Sequence, residues 1–117
     1  MIFNYMLPSI NRLTKKKDFD LVFKKGGSIK DDFLICKTLY NHLPAARFGF
    51  IVSKKVSGKA TVRNTIKRRL RKAVFERLKE IKKSMDVVII TLPGTDKKEF
   101  SQIQEAVGGC FKKAKLI

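Results

Sequence analysis

The chain has 117 residues, with 27 Lys and Arg against 10 Asp and Glu, for a formal net charge of +17. That length implies one domain with room for a real core and none for a second, and a hydrophobic content of 44% excludes a disordered basic tail. The longest strictly aliphatic run, Val87-Val88-Ile89-Ile90, falls far short of the roughly 20 apolar residues of a membrane helix, the start lacks the basic and apolar regions of a signal peptide, and two cysteines, Cys36 and Cys110, make no disulfide framework, so a cytoplasmic location is expected.

Residues 1–12, with Pro8 and no strong periodicity, read as an N-terminal arm preceding a domain over 13–117. Thr14 is a plausible N-cap for a helix over 15–25, in which Phe19, Val22 and Phe23 form one apolar stripe. Gly26-Gly27 ends that helix. Residues 32–40 alternate as a strand. After a turn over 41–46, residues 47–53 alternate as a second strand, expected to be the hairpin partner of the first. Gly49 inside it marks a bulge or the close approach of another group. Ser57-Gly58 precedes a long helix over about 60–83, well patterned through Val62, Ile66, Leu70 and Ala73 and drifting thereafter. The nearly all-apolar 85–92 suits a central strand covered on both faces. Thr95 or Asp96 caps a last helix over about 97–114, with Phe100, Ile103, Val107 and Phe111 as its buried stripe. The order helix, strand, strand, helix, strand, helix implies an α+β fold with helices packed on a sheet, and a crossover that makes the strands at 47–53 and 85–92 parallel if they are neighbours.

The charge is concentrated. Ser53 to Lys72 holds nine Lys or Arg and no acid, whereas a merely solvated surface intersperses the signs. Arg63, Lys67 and Arg71 follow at i+4 steps, about 6 Å apart in rise, with Asn64 and Arg68 beside them. Such a row meets successive phosphates, and Arg adds bidentate contacts. Asn64 can donate and accept toward a base edge or a 2′-hydroxyl. Phe19 and Phe23, between Lys15, Lys16 and Lys17 and Lys24 and Lys25, suit either a core stripe or a stacking surface for single-stranded nucleic acid. Catalytic chemistry is not visible. Asp18, Asp20, Asp31 and Asp32 read as solvated, His42 as an exposed turn residue, neither cysteine as an activated nucleophile, and one histidine with two cysteines cannot supply a typical four-ligand zinc site.

The run Ser53-Lys54-Lys55, Gly58-Lys59-Ala60, Arg63-Asn64-x-x-Lys67-Arg68-x-x-Arg71 resembles the signature of the bacterial ribonuclease P protein subunit, and Leu13 to Gly26 and Asp86 to Ile90 resemble that family's first helix and central strand. The chain departs at Thr65, where the family often has Arg, at Lys72, and at Cys36 and Lys37, neither of which is aromatic. The resemblance implies a mixed sheet with a left-handed βαβ crossover. It also implies a ribonucleoprotein that removes the 5′ leader of precursor tRNA, with catalysis and magnesium in the RNA subunit and no cofactor bound by the protein itself. It assigns Lys54, Lys55, Lys59, Arg63, Asn64, Lys67, Arg68 and Arg71 to the RNA subunit, and Lys16, Lys17, Phe19, Phe23 and Phe33 to the leader. The partners implied are the catalytic RNA and precursor tRNA, with no membrane and no obligate protein partner. A structural or ribosomal RNA-binding protein without a role in cleavage fits the composition equally.

Overall fold

The computed structural model of the chain describes residues 7–117. Its regular elements are α1 (Lys16–Lys25), β1 (Gly27–Asp31), β2 (Leu34–Tyr40), β3 (Arg47–Ile51), α2 (Ala60–Phe75), β4 (Met85–Thr91) and α3 (Phe100–Lys113), with one-turn 3-10 helices at Ser9–Asn11, Leu78–Glu80 and Thr95–Lys97. The strands form one mixed sheet in the order β1-β2-β4-β3. β1, β2 and β4 pair antiparallel, while β3 and β4 pair parallel across the α2 crossover.

The all-apolar β4 takes the position its composition demands. Between β2 and β3 both of its faces are covered: Val87 and Ile89 join the larger core under α2 and α3, and Val88 joins a smaller core under α1. That placement corrects the hairpin expected between β2 and β3. β4 lies between them, and the loop over 41–46 spans its start, with the Asn41 main-chain N–H donating to Ser84 O (3.0 Å). The hairpin partner of β2 is β1, a strand the sequence did not suggest. Its five residues, Gly-Ser-Ile-Lys-Asp, carry one apolar side chain at a sheet edge.

Helix ends also shift. α2 stops at Phe75, not near 83, where the apolar stripe drifts off the face that meets the sheet. α3 starts at Phe100, not 97: Glu99 and Gln102 form a reciprocal capping box, while Thr95 is buried and its hydroxyl donates to Leu92 O (2.6 Å). The N-cap of α1 is Lys15, without the side-chain bond expected from Thr14. Gly26 ends that helix with φ −77°, so steric room and not a left-handed turn is what it supplies. A Cβ there meets Val22 O at 2.5 Å and Thr38 O at 2.8 Å.

Residues 1–6 of the expected arm lie outside the described residues. From Leu7 onward the chain packs on β3. Leu7 is buried, the Asn11 amide donates to Ala46 O (2.8 Å), and the Leu13 N–H donates to Phe48 O (2.9 Å). At the same end of the sheet, Arg47 donates from Nε and Nη2 to Asp86 (2.8 and 2.7 Å) and lies 3.5 Å from Asp18 on α1. The bonded Asp86 carboxylate holds the guanidinium above its ordinary pKa. Asp18 is thus half-buried and paired, not solvated as its sequence setting suggests. Asp31 is paired likewise, with Lys113 (3.3 Å).

Candidate nucleic-acid interface

α1 crosses the sheet face that carries Gly49 and Ile51 of β3, Val88 and Ile90 of β4, and Lys37 and Leu39 of β2. Val22 is buried there against Val88 and Leu13. The two phenylalanines of its stripe divide the alternatives. Phe19 lies half-buried with its ring on Gly49, where any Cβ collides with it; this is the close approach that a glycine in mid-strand signals. Phe23 stays 41% exposed, with the Lys37 ammonium 5.9 Å from its ring centroid. A cation therefore faces this ring where the family resemblance implies an aromatic. Cys36 points the other way, into the larger core. Lys16 and Lys17 are exposed on the first turn of the helix, Lys16 within 2.9 Å of Asp20, which is also exposed.

Phe33 does not join this group. The Asp32 turn (φ 54°) rotates it into the larger core, on the α3 side of the sheet, where the Lys98 ammonium covers its ring at 5.2 Å. The family resemblance grouped Phe33 with Phe19 and Phe23, whereas the chain here turns its ring to the other side of the sheet.

α2 sorts its charges by face. Arg69 donates to Lys98 O (3.4 Å), and the Lys72 ammonium sits 4.7 Å above Phe100, so both serve the packing against the segment that leads into α3. Asn64 and Arg68 are exposed. Lys67 and Arg71 are half-buried along an open groove of about 290 Å³ that they share with Arg12, Thr14, Phe19 and Phe50. Arg63 donates to Ser57 O (2.9 Å) and so fixes the loop that carries the exposed Lys54, Lys55 and Lys59, itself pinned by the buried Val56. Among the described residues no ion pair joins any of these eight predicted side chains to an acid. Thr65 donates to Thr61 O (3.0 Å), a bond internal to the helix.

The basic row and the aromatic stripe are therefore contiguous, joined through the groove over β3. Arg12, Thr14 and Phe50 at this junction were not marked by sequence as site residues, Thr14 being read there only as a helix cap. Phe50 shares its alternation with the buried Phe48 and reads as core, and Arg12 lies in a segment without periodicity. The surface offers cations for a phosphate backbone and an open ring for a base. Among the described residues no group of three or more His, Cys, Asp or Glu could hold a metal ion.

Comparison with known proteins gives a consistent result. The family model described as Ribonuclease P matches residues 7–115. The ribonuclease P protein component of Alkaliphilus metalliredigens is 36% identical over 111 residues, covering 95% of this chain and 99% of that one. That of Pseudanabaena is 32% identical over 113 residues, covering 96% and 97%. Among solved structures, the RNase P protein of Staphylococcus aureus superimposes with a TM-score of 0.81 at 32% identity, covering 91% of this chain and 96% of that one. The RNase P protein of Thermotoga maritima gives 0.77 at 32%, covering 87% and 96%.

Proposed function

The chain belongs to the bacterial ribonuclease P protein family, and from that premise we propose how its two surfaces divide the work. It is the protein component of ribonuclease P, the accessory subunit of an endoribonuclease of tRNA 5′ processing whose catalysis is RNA-based. Its partner is the RNA subunit. In our reading that RNA docks on the loop and exposed face of α2, through Lys54, Lys55, Lys59, Arg63, Asn64, Lys67, Arg68 and Arg71. The 5′ leader of precursor tRNA lies across the α1 face, on Phe19 and Phe23 with Lys16, Lys17 and Lys37. Magnesium acts with the RNA subunit, and the protein supplies cations and stacking surface. No helix of the described residues is long and apolar enough to cross a membrane, and we place the particle in the cytoplasm.

The observation that carries this reading is the contiguity of an acid-free basic row, through one groove, with the half-buried Phe19, whose helix stripe continues to the exposed Phe23. Catalytic RNA and substrate are both polyanions and repel each other. A strongly cationic wedge touching both lowers that repulsion. Contacts to the leader favour precursor over product, because product has lost the leader.

Arg71 lines the shared groove, so Arg68, exposed and outside it, is the cleaner probe of RNA docking. Replacing Phe23 by Ala is expected to weaken holoenzyme binding of precursor about tenfold while leaving product binding and RNA-subunit assembly unchanged. Arg68→Ala is expected to weaken assembly and to affect precursor and product alike. Filter binding of the three RNAs measures both, and equal effects of the two substitutions on all three defeat the division.

A further inference from the structure

Among the described residues, three of the five large exposed apolar side chains gather about the loop over 41–46: Ile10 (58%), Tyr40 (56%) and Leu43 (41%). Their exposure is built in. Asn41 locks the loop over 41–46 by accepting from the Leu43 N–H (2.8 Å) and donating to Ala45 O (3.1 Å) and Asp86 (2.9 Å), and its own N–H reaches Ser84 O. His42 is held at φ 58°, a left-handed conformation uncommon outside glycine. The imidazole meets the Tyr40 ring edge-on, with 4.2 Å between centroids. The loop and the end of β2 thus hold both rings in water.

The ground beside these rings is cationic. An open cavity of about 270 Å³ runs between Pro44–Ala46 and Ile81–Ser84, with Lys82 and Lys83 on its wall. The Lys82 N–H donates to Leu116 O (3.2 Å), which brings Lys115 alongside. Among the described residues none of these three lysines joins an ion pair, whereas Glu80 faces Arg77 and Asp86 is saturated by Arg47. Only the turn at Ser9–Asn11 separates this cavity from the groove of Lys67 and Arg71: Asn11 lines one and Arg12 the other.

We propose that this end of the sheet is a second contact for the RNA subunit, in which an unpaired nucleotide stacks on the Tyr40–His42 pair and its flanking phosphates meet Lys82 and Lys83. The charge favours RNA over a protein partner. Continuity with the basic groove favours the RNA that docks there. Tyr40 alternates with Leu34 and Cys36, on the sheet face opposite Leu39 and the α1 cleft that takes the leader. The proposal rests on the docking reading above and extends its footprint past the end of α2, about 24 Å from its start.

Cys36 and Cys110 are both buried, so a thiol-directed iron chelate can be confined to an introduced cysteine. Two holoenzymes, one tethered through Lys59→Cys and one through Lys83→Cys, are expected to cleave the RNA subunit by hydroxyl radical at two separate sets of nucleotides. Cleavage from 59 with none from 83, or from 83 only in precursor tRNA, overturns the platform and leaves the α2 docking standing. Silence from both removes the docking reading and the platform with it. In the same assembly assay Tyr40→Ala is expected to weaken RNA-subunit binding about tenfold, Tyr40→Phe to leave it within twofold, and Lys82→Ala with Lys83→Ala to flatten the salt slope by roughly one to two. Unchanged affinity in Tyr40→Ala, with an unchanged melting temperature, overturns the stacking.

Discussion

Gly49 shows how much a single residue carries. Strand alternation alone makes it a weak point in β3, since glycine has no side chain to pack. Its value lies in what takes the vacant space: the Phe19 ring rests on its α-carbon, and that contact sets the height of α1 over the sheet. Gly49→Ala forces the ring, or the whole helix, outward. The expected result is a loss of about 1–3 kcal/mol, the ordinary cost of overpacking, together with weaker binding of precursor but not of product. Chemical denaturation and leader-dependent binding measure the two effects, and a variant as stable as the parent shows that Phe19 moves aside freely. The glycine was legible in the sequence as a bulge or a close approach, and the structure makes it the second. The ring that approaches it was not, because Phe19 and Phe23 look alike at helical spacing and only their unequal burial separates them. Phe33 illustrates the opposite failure. One left-handed residue, Asp32, reverses the face on which it lies, and aspartate does not announce that conformation.

At the scale of elements, α2 is one helix with two electrostatic duties. Its N-terminal loop and outer face present cations that join no ion pair among the described residues, while the residues turned toward α3 hold that helix in place. Beyond its C-terminal end Arg77 continues the second duty. The guanidinium lies against Gly108, where a Cβ would come within 2.6 Å of Nη2, and it donates to Gln104 O at 3.5 Å and lies 4.0 Å from Glu80. The pair Gly108-Gly109, costly in a helix interior, thus makes room for Arg77 on one side and the Asp31 carboxylate on the other. Arg77→Ala is expected to lower stability by about 1–2 kcal/mol through lost packing and hydrogen bonding with little effect on RNA affinity. Arg68→Ala is expected to do the reverse. Thermal melts set beside RNA-subunit binding separate them, and parallel losses in both assays contradict the sorting. Periodicity marked the basic row of α2 correctly because it depends on one helix alone. β1 and the position of β4 between β2 and β3 escaped, because strand order follows from which faces end up covered and no local pattern records that.

For the whole molecule, the decisive quantity is the surplus of positive charge and its use. Self-repulsion on this scale opposes folding, and the few acids are largely committed within the fold, Asp18 and Asp86 to Arg47 and Asp31 to Lys113. Among the described residues no ion pair compensates the basic loop or the outer face of α2. Neutralising six to eight phosphates there gives a plot of log K against log salt with a slope of roughly −4 to −7. The same charge competes with magnesium for the work of screening one RNA from the other, so the protein is expected to lower the magnesium concentration at which precursor is cleaved, and to do so most at low ionic strength. Titrating magnesium with and without the protein, at two salt concentrations, measures this directly. Replacing Lys54, Lys55 and Lys59 together by Ala is expected to reduce the slope by about two to three and to shift the magnesium midpoint back toward that of RNA alone, while the leader preference conferred by Phe23 persists. If the triple variant keeps the parental slope, the loop does not reach phosphate, and the cationic wedge is confined to α2 itself.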